Sequence, residues 1–156
     1  MKKTLSVLAL STALTLPALA EAKPVTFTVK LKPYGGNPAY LALYVTDASG
    51  AYKGSLWMAG DRSKYYRHLG HWFRKTGGNL SEINGITGAS VGAGRTLTVT
   101  LDLADTLFDA GYQLHIDAAA ENLVESPSEI VLPLTAAGAG KAKPGRAYIA
   151  GASYSL

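Results

Sequence analysis

A short segment rich in small residues, Asn-Gly-Ile-Thr-Gly-Ala-Ser at positions 84–90, contains the residues best suited to covalent chemistry. Its last residue, Ser90, offers an alcohol that can attack a metal-activated pyrophosphate as a nucleophile. The glycines and the alanine give the segment low bulk and a mobile backbone, which it needs if another enzyme must draw it into an active site. Thr87 is suited to a local hydrogen bond that shapes the turn. A plain turn is the competing interpretation, because Asn-Gly is also a strong turn signal.

The same seven residues resemble the flavinylation sequence that FAD:protein FMN transferases recognise. In that sequence an Asp is followed by two variable residues, Ser or Thr, Gly, Ala, and a final Thr or Ser that receives FMN through a phosphodiester bond. Here Asn84 stands in place of the Asp, and the final hydroxyl residue is Ser90. The resemblance implies that Ser90 is the FMN attachment residue of a site that also contains Asn84, Gly85, Thr87, Gly88 and Ala89.

Two histidines, His68 and His71, lie three residues apart on a predicted helix, close enough to share a face and to ligate one metal ion. No carboxylate lies beside them in the sequence, and the third histidine, His115, is distant. The favoured interpretation is therefore a solvated basic helix face rather than a metal centre. This face offers cations to an FMN phosphate or to an anionic partner, namely Arg62, Lys64, Arg67 and Arg74.

Aromatic residues around this helix divide into core and candidate flavin contacts. Leu69 and Trp72 recur at helical spacing and are predicted to be core. Trp57 and Tyr66 are the predicted contacts of an isoalloxazine ring, and Arg67 is a further candidate contact.

The first twenty residues have the pattern of a secretory signal peptide. Lys2 and Lys3 give a positive start, an apolar run follows, and the small residues before position 21 predict cleavage after Ala20. Removing this peptide leaves residues 21–156 as one domain and lowers the formal charge from +4 to +2. We expect a periplasmic protein with no membrane-spanning segment after signal removal.

Composition excludes several classes of function. A mature charge of +2 gives no argument for a nucleic-acid partner. The chain has no cysteine, which excludes disulfides, thiol catalysis and iron–sulfur ligation. Residues 88–92 match the letters of the Gly-x-Ser-x-Gly elbow of serine hydrolases, but no His and Asp relay for Ser90 is evident in the sequence. No dinucleotide-binding glycine pattern opens a helix.

The elements that must position these residues are mostly strands. Strict apolar/polar alternation predicts strands at 25–31 and 97–103, and a nearly continuous apolar run predicts a strand buried on both faces at 40–45. Further strands are predicted at 53–58, 112–118 and 129–134, and a final one within 146–156 is favoured over an unstructured tail. The pattern predicts a mainly β protein, an immunoglobulin-like antiparallel β-sandwich with one short helical insertion.

The helical insertion is predicted over residues 61–76. Asp61 is the expected N-cap, and Tyr65, Leu69, Trp72 and Phe73 are expected to share one face. Gly77 is expected to end the helix. Residues 136–147, rich in Ala, Gly and Lys, are predicted to form a loose connector.

The order of short motifs along the mature chain is similar to that of the predicted periplasmic proteins of domain-of-unknown-function family 2271 (DUF2271). These motifs are the 38–45 run, Leu56-Trp57, the basic-aromatic helix ending in Trp72, the 87–90 segment, Leu101-Asp102, and Ala110-Gly111-Tyr112. The resemblance implies an association with FAD:protein FMN transferases and with PepSY-type inner-membrane proteins that move electrons across the membrane.

Two functional hypotheses follow from the sequence. The first is an exported flavoprotein that carries FMN on Ser90 and acts in extracytoplasmic electron transfer. One such role is iron reduction or uptake together with a PepSY-type membrane reductase. In this hypothesis the protein is an electron carrier rather than a stand-alone enzyme. The alternative is a non-redox periplasmic module that binds a protein or a metal through the basic helix 62–75.

Overall fold

The computed structural model describes residues 21–156, and these residues form two β-sheets. The predicted signal peptide and its cleavage site after Ala20 lie outside the described residues. Among residues 21–156, no helix has the length and apolarity needed to cross a membrane. The prediction of a mainly β protein is confirmed, and its strands are β1 Ala22–Leu31, β2 Ala39–Thr46, β3 Tyr52–Ala59, β4 Thr87–Gly88, β5 Thr96–Ala104, β6 Gln113–Ala120, β7 Ser126–Pro133 and β8 Ile149–Ser155.

The smaller sheet has the strand order β5-β1-β8 and the larger sheet β4-β3-β2-β6-β7. All pairings are antiparallel except the short edge pairing of β4 with β3, which is parallel. The two sheets share one apolar core. A two-sheet arrangement is therefore established, whereas immunoglobulin-like topology stays a prediction.

Strand β1 shows how alternation builds this core. Val25, Phe27 and Val29 are buried and their polar neighbours are not, because successive side chains of a strand point to opposite faces. Strand β2 is buried on both faces, as its continuous apolar run predicted. Leu43 joins the core between the sheets, and Tyr44 joins a second apolar cluster on the outer face of the larger sheet.

The prediction of one helix over 61–76 is wrong, because two shorter elements occupy that range. A 3-10 turn spans Ser63–His68, and helix α1 spans Gly70–Thr76. Leu69, with φ −88° and ψ 74°, breaks the helical path between them. Asp61 is not the N-cap, since Arg62 precedes the 3-10 turn without a side-chain cap.

Both elements cover the outer face of the larger sheet. Tyr66, Leu69 and Trp72 pack there, so the predicted core positions Leu69 and Trp72 are confirmed. Gly77 ends α1 with φ 64°, as expected of a C-terminal glycine.

The last strand, β8, is confirmed. Residues 136–147 contain no helix or strand, yet backbone hydrogen bonds join them to β8: Gly140 N donates to Tyr154 O at 2.7 Å, and Lys143 and Ala152 exchange bonds of 2.8 and 2.9 Å. This connector is therefore held to the sheet along its length.

Candidate functional site

The segment 84–90 lies at the edge of the larger sheet. A 3-10 turn, Leu80–Ile83, precedes it and is capped by the Asn79 side chain, which accepts a hydrogen bond from Ser81 N. Asn84 (φ −63°, ψ 124°) and Gly85 (φ 87°) then have the backbone angles of a type II turn, closed by Ile86 N donating to Ile83 O at 3.1 Å. The left-handed φ explains the glycine at position 85. The Asn-Gly pair is thus a turn, but it leads into an edge strand rather than a hairpin.

The rest of the segment is held against β3. Gly60 N donates to Gly88 O at 2.7 Å, and Thr87 Oγ1 donates to Ile83 O at 2.8 Å. Thr87 therefore makes the local hydrogen bond predicted from the sequence. A Cβ on Gly88 would come within 2.7 Å of the Trp57 ring, so only glycine fits beneath that ring without a shift.

Ser90 lies where two clefts meet and is half-buried. The larger cleft, which we call the tyrosine cleft, has a volume of about 710 Å³. It opens between the 37–38 loop, the 61–68 segment and the 119–125 segment at the end of β6. Its walls carry Ser90, Tyr40, Tyr65, Arg62, His68, Pro38 and Leu123 among others.

Aromatic and polar contacts join the walls of the tyrosine cleft. Tyr40 and Tyr65 meet edge to face with ring centroids 5.4 Å apart. Tyr65 OH donates to Glu121 Oε1 at 2.7 Å, and His68 Nδ1 pairs with Glu125 Oε1 at 2.6 Å. These contacts join the 63–68 turn to the β6–β7 connection across the cleft.

The smaller cleft, which we call the tryptophan cleft, has a volume of about 550 Å³ and is more open. Trp57, Gly88 and Ala89 line it together with Ser90 and the start of β5. Within residues 21–156, the Trp57 Nε1–H is buried without a hydrogen-bond partner. The predicted flavin contact Trp57 therefore shares the tryptophan cleft with Ser90 and does not line the tyrosine cleft.

The other two predicted flavin contacts do not line either cleft. Tyr66 is buried with 4% of its surface exposed, and its hydroxyl donates to Gly60 O at 2.9 Å beneath Tyr40. Arg67 is exposed. Tyr65 lines the tyrosine cleft instead, and sequence reasoning missed it because an unbroken α-helix places Tyr65 on the buried face. A signal was available, since Gly70 is a poor residue for the middle of a helix.

The two histidines of this region do not converge. His68 pairs with Glu125 at the cleft rim, whereas His71 Nδ1 lies 2.8 Å from Ser128 Oγ on the outer face of the larger sheet. In the part of the chain that the structure describes, no group of three or more His, Cys, Asp or Glu side chains is arranged to hold a metal ion.

A second polar cluster, centred on the buried carboxylate of Asp117, lies beneath α1. Asp117 Oδ1 accepts hydrogen bonds from Tyr44 OH at 3.0 Å and Ser128 N at 2.7 Å, and Oδ2 accepts one from Trp72 N at 2.7 Å. Burial, and secondarily the Asp117 charge, raise the pKa of Tyr44. Ser128 has a left-handed φ of 45° beside the β6–β7 bulge, and its hydroxyl meets both His71 and His115.

The stability of the fold is expected to fall as the pH drops from about 7.5 to 5.5. Burial lowers the pKa of His115 from 6.5, with Lys75 and His71 adding to the effect and Asp117 opposing it. Below pH 6.5 the unfolded chain binds a proton that folded His115 binds more weakly, so acidification favours unfolding. Urea unfolding at a series of pH values measures this loss. In His115→Gln the slope over this window should flatten, and an unchanged slope would assign it to other groups.

Residues 22–151 match the model of a protein family described as "Predicted periplasmic protein (DUF2271)". No curated protein and no solved structure matches the chain significantly.

Proposed function

The chain belongs to this family of predicted periplasmic proteins, and we propose that it carries FMN covalently on Ser90 and transfers electrons outside the cytoplasm. In this proposal the two-sheet core is an immunoglobulin-like scaffold, and the edge of its larger sheet carries the cofactor. FMN bound there supplies the redox chemistry, and the protein supplies attachment, orientation and electrostatic surroundings.

The observation that carries the proposal is the position of Ser90. The residue that the sequence pattern marks as the acceptor lies in the wall of a cleft of about 710 Å³. Cofactor and ligand pockets have volumes of about 300–1,000 Å³. A flavin tethered at Ser90 therefore has an adjoining space of suitable size.

The residues of the tyrosine cleft suit each part of FMN. The rings of Tyr40 and Tyr65 offer aromatic surface for the isoalloxazine, and Pro38 and Leu123 add apolar contact. Arg62 offers a guanidinium to the phosphodiester. We therefore assign the ring system to the tyrosine cleft rather than to the shallower tryptophan cleft, and Tyr65 replaces Tyr66 as the proposed contact.

The partners in this proposal are an FAD:protein FMN transferase, which loads the flavin, and a PepSY-type inner-membrane protein, which supplies electrons. An extracytoplasmic oxidant such as ferric iron accepts them. The open mouth of the tyrosine cleft leaves one edge of a seated flavin accessible to such partners.

Intact mass of the exported protein tests the proposal. Co-expression with an active FMN transferase should add the mass of one FMN per chain, and co-expression with a catalytically inactive transferase should not. Tryptic mapping should place the addition on the peptide that contains Ser90. An unmodified chain in the presence of a transferase that modifies its own natural substrate would refute the proposal.

A further inference from the structure

The folded protein already uses the residues that a transferase must read in the 84–90 segment. The Thr87 hydroxyl is bonded to Ile83 O at 2.8 Å, and Gly88 lies under the Trp57 ring. A transferase that recognises a hydroxyl residue followed by Gly-Ala therefore finds the Thr87 hydroxyl and Gly88 already in contact with other residues of the folded chain.

The backbone is fixed on both sides of Ser90. Two residues before it, Gly88 O accepts from Gly60 N at 2.7 Å. Directly after it, Val91 is buried and exchanges two backbone hydrogen bonds with Ala39, of 2.7 and 2.9 Å. Ser90 therefore has little freedom to enter another enzyme's active site while these bonds are intact.

The segment is nonetheless a short element at the edge of the larger sheet. Strand β4 has only two residues, which pair with Met58 and Ala59 at the sheet edge. The residue before β4 is also bonded to β3, because Met58 N donates to Ile86 O at 2.9 Å. The preceding 3-10 turn is fixed independently, because Glu82 accepts hydrogen bonds from Tyr52 OH and from Ser55 N. Short edge elements of this kind open locally without global unfolding.

From these contacts we infer that the transferase acts only on chains in which residues 84–91 are released from the sheet edge. The inference rests on the proposed function. In the reaction, the Ser90 oxygen bonds to the phosphorus of the FMN half of FAD, the pyrophosphate bond breaks and AMP leaves. The hydroxyl proton passes to a base of the transferase or to water, and nothing is oxidised or reduced. Redocking of the segment then brings the attached flavin to the tyrosine cleft.

A reversible lock on the segment tests this order of events. Ala39 and Val91 form an antiparallel, hydrogen-bonded pair, and both side chains lie in the core between the sheets. Such pairs have Cα atoms about 5.5 Å apart, which is within the range for a disulfide. Because the chain has no cysteine, Ala39→Cys/Val91→Cys creates a single possible disulfide. Purified transferase, FAD and Mg²⁺ are then added to the oxidised and to the reduced form of this variant.

Flavin transfer to the oxidised form should be at least about tenfold slower than to the reduced form, because the disulfide prevents release of Val91. The two forms have the same sequence, so the comparison is internally matched, and each single-cysteine variant controls for the reductant. Equal rates in the two forms would overturn the inference.

A synthetic peptide of residues 80–95 gives a second measurement that does not depend on folding of the double variant. The peptide should be modified faster than the folded wild-type chain at equal concentration, and an equal or slower rate would also overturn the inference. If neither the peptide nor any form of the protein is modified, the proposed function itself fails, which separates the two results.

Discussion

Ser90→Ala is expected to abolish covalent flavin attachment completely. The substitution removes the only oxygen of the side chain that we propose attacks the FAD pyrophosphate, so no phosphodiester can form at this position. Ser90 is half-buried at a cleft wall rather than in the core, and the change in free energy of unfolding should stay within about 0.5–1 kcal/mol. Intact mass after co-expression with the transferase measures the loss, and urea unfolding checks that the fold is retained.

Two matched variants separate chemistry from recognition in this experiment. Ser90→Thr keeps an acceptor hydroxyl and should still be modified, since the flavinylation pattern also accepts Thr there. Ser81→Ala removes another serine hydroxyl close to the segment and should be modified like wild type. If flavin remains attached in Ser90→Ala, the attachment residue is a different one. Thr87→Ala would then show whether Thr87 is the acceptor.

The sequence predicts the strands well because their signal is local. In β1 each buried side chain is separated from the next by one residue, and the period of two is the geometry of the strand itself. The apolar run of β2 likewise predicted burial on both faces, and the structure places Leu43 and Tyr44 in two different apolar clusters.

The break between the 3-10 turn and α1 was not predicted, because tertiary contacts decide it. A helical wheel places Tyr65 on the buried face, whereas in the structure Tyr66 is buried on the sheet and Tyr65 lines the cleft. Leu69 and Trp72 are buried with either geometry, which is why those two positions were predicted correctly.

The cleft beside Ser90 also has no local signature. Its walls come from segments near residues 40, 65, 90 and 121, and no spacing within one segment reveals that these meet. Ser90 could be proposed as the acceptor from the sequence because the flavinylation pattern lies in seven consecutive residues. The tyrosines that face it belong to other elements and needed the fold.

The group that caps the N-terminus of α1 could not be predicted from the neighbouring sequence either. Leu69 precedes the helix and offers no side-chain cap, so the first N–H groups of α1 need another acceptor. Asp117 on β6 supplies it, because its Oδ2 accepts from Trp72 N across 45 positions of sequence. The same carboxylate accepts Ser128 N at the strained residue of β7, which ties the helix, β6 and β7 at one point.

Asp117→Ala is therefore expected to lower the free energy of unfolding by about 3–5 kcal/mol, since it removes the acceptor of three hydrogen bonds, two of them from the buried residues Tyr44 and Trp72. Asp117→Asn keeps the shape but turns an NH₂ group toward one of those donors, and should cost about 2–3 kcal/mol. Urea unfolding at pH 7.5 measures both losses. Asp102→Asn, an exposed site on β5, is the matched control and should stay within about 0.5 kcal/mol. A similarly small loss in both Asp117 variants would mean that packing of Leu69 and Trp72 alone holds α1 on the sheet.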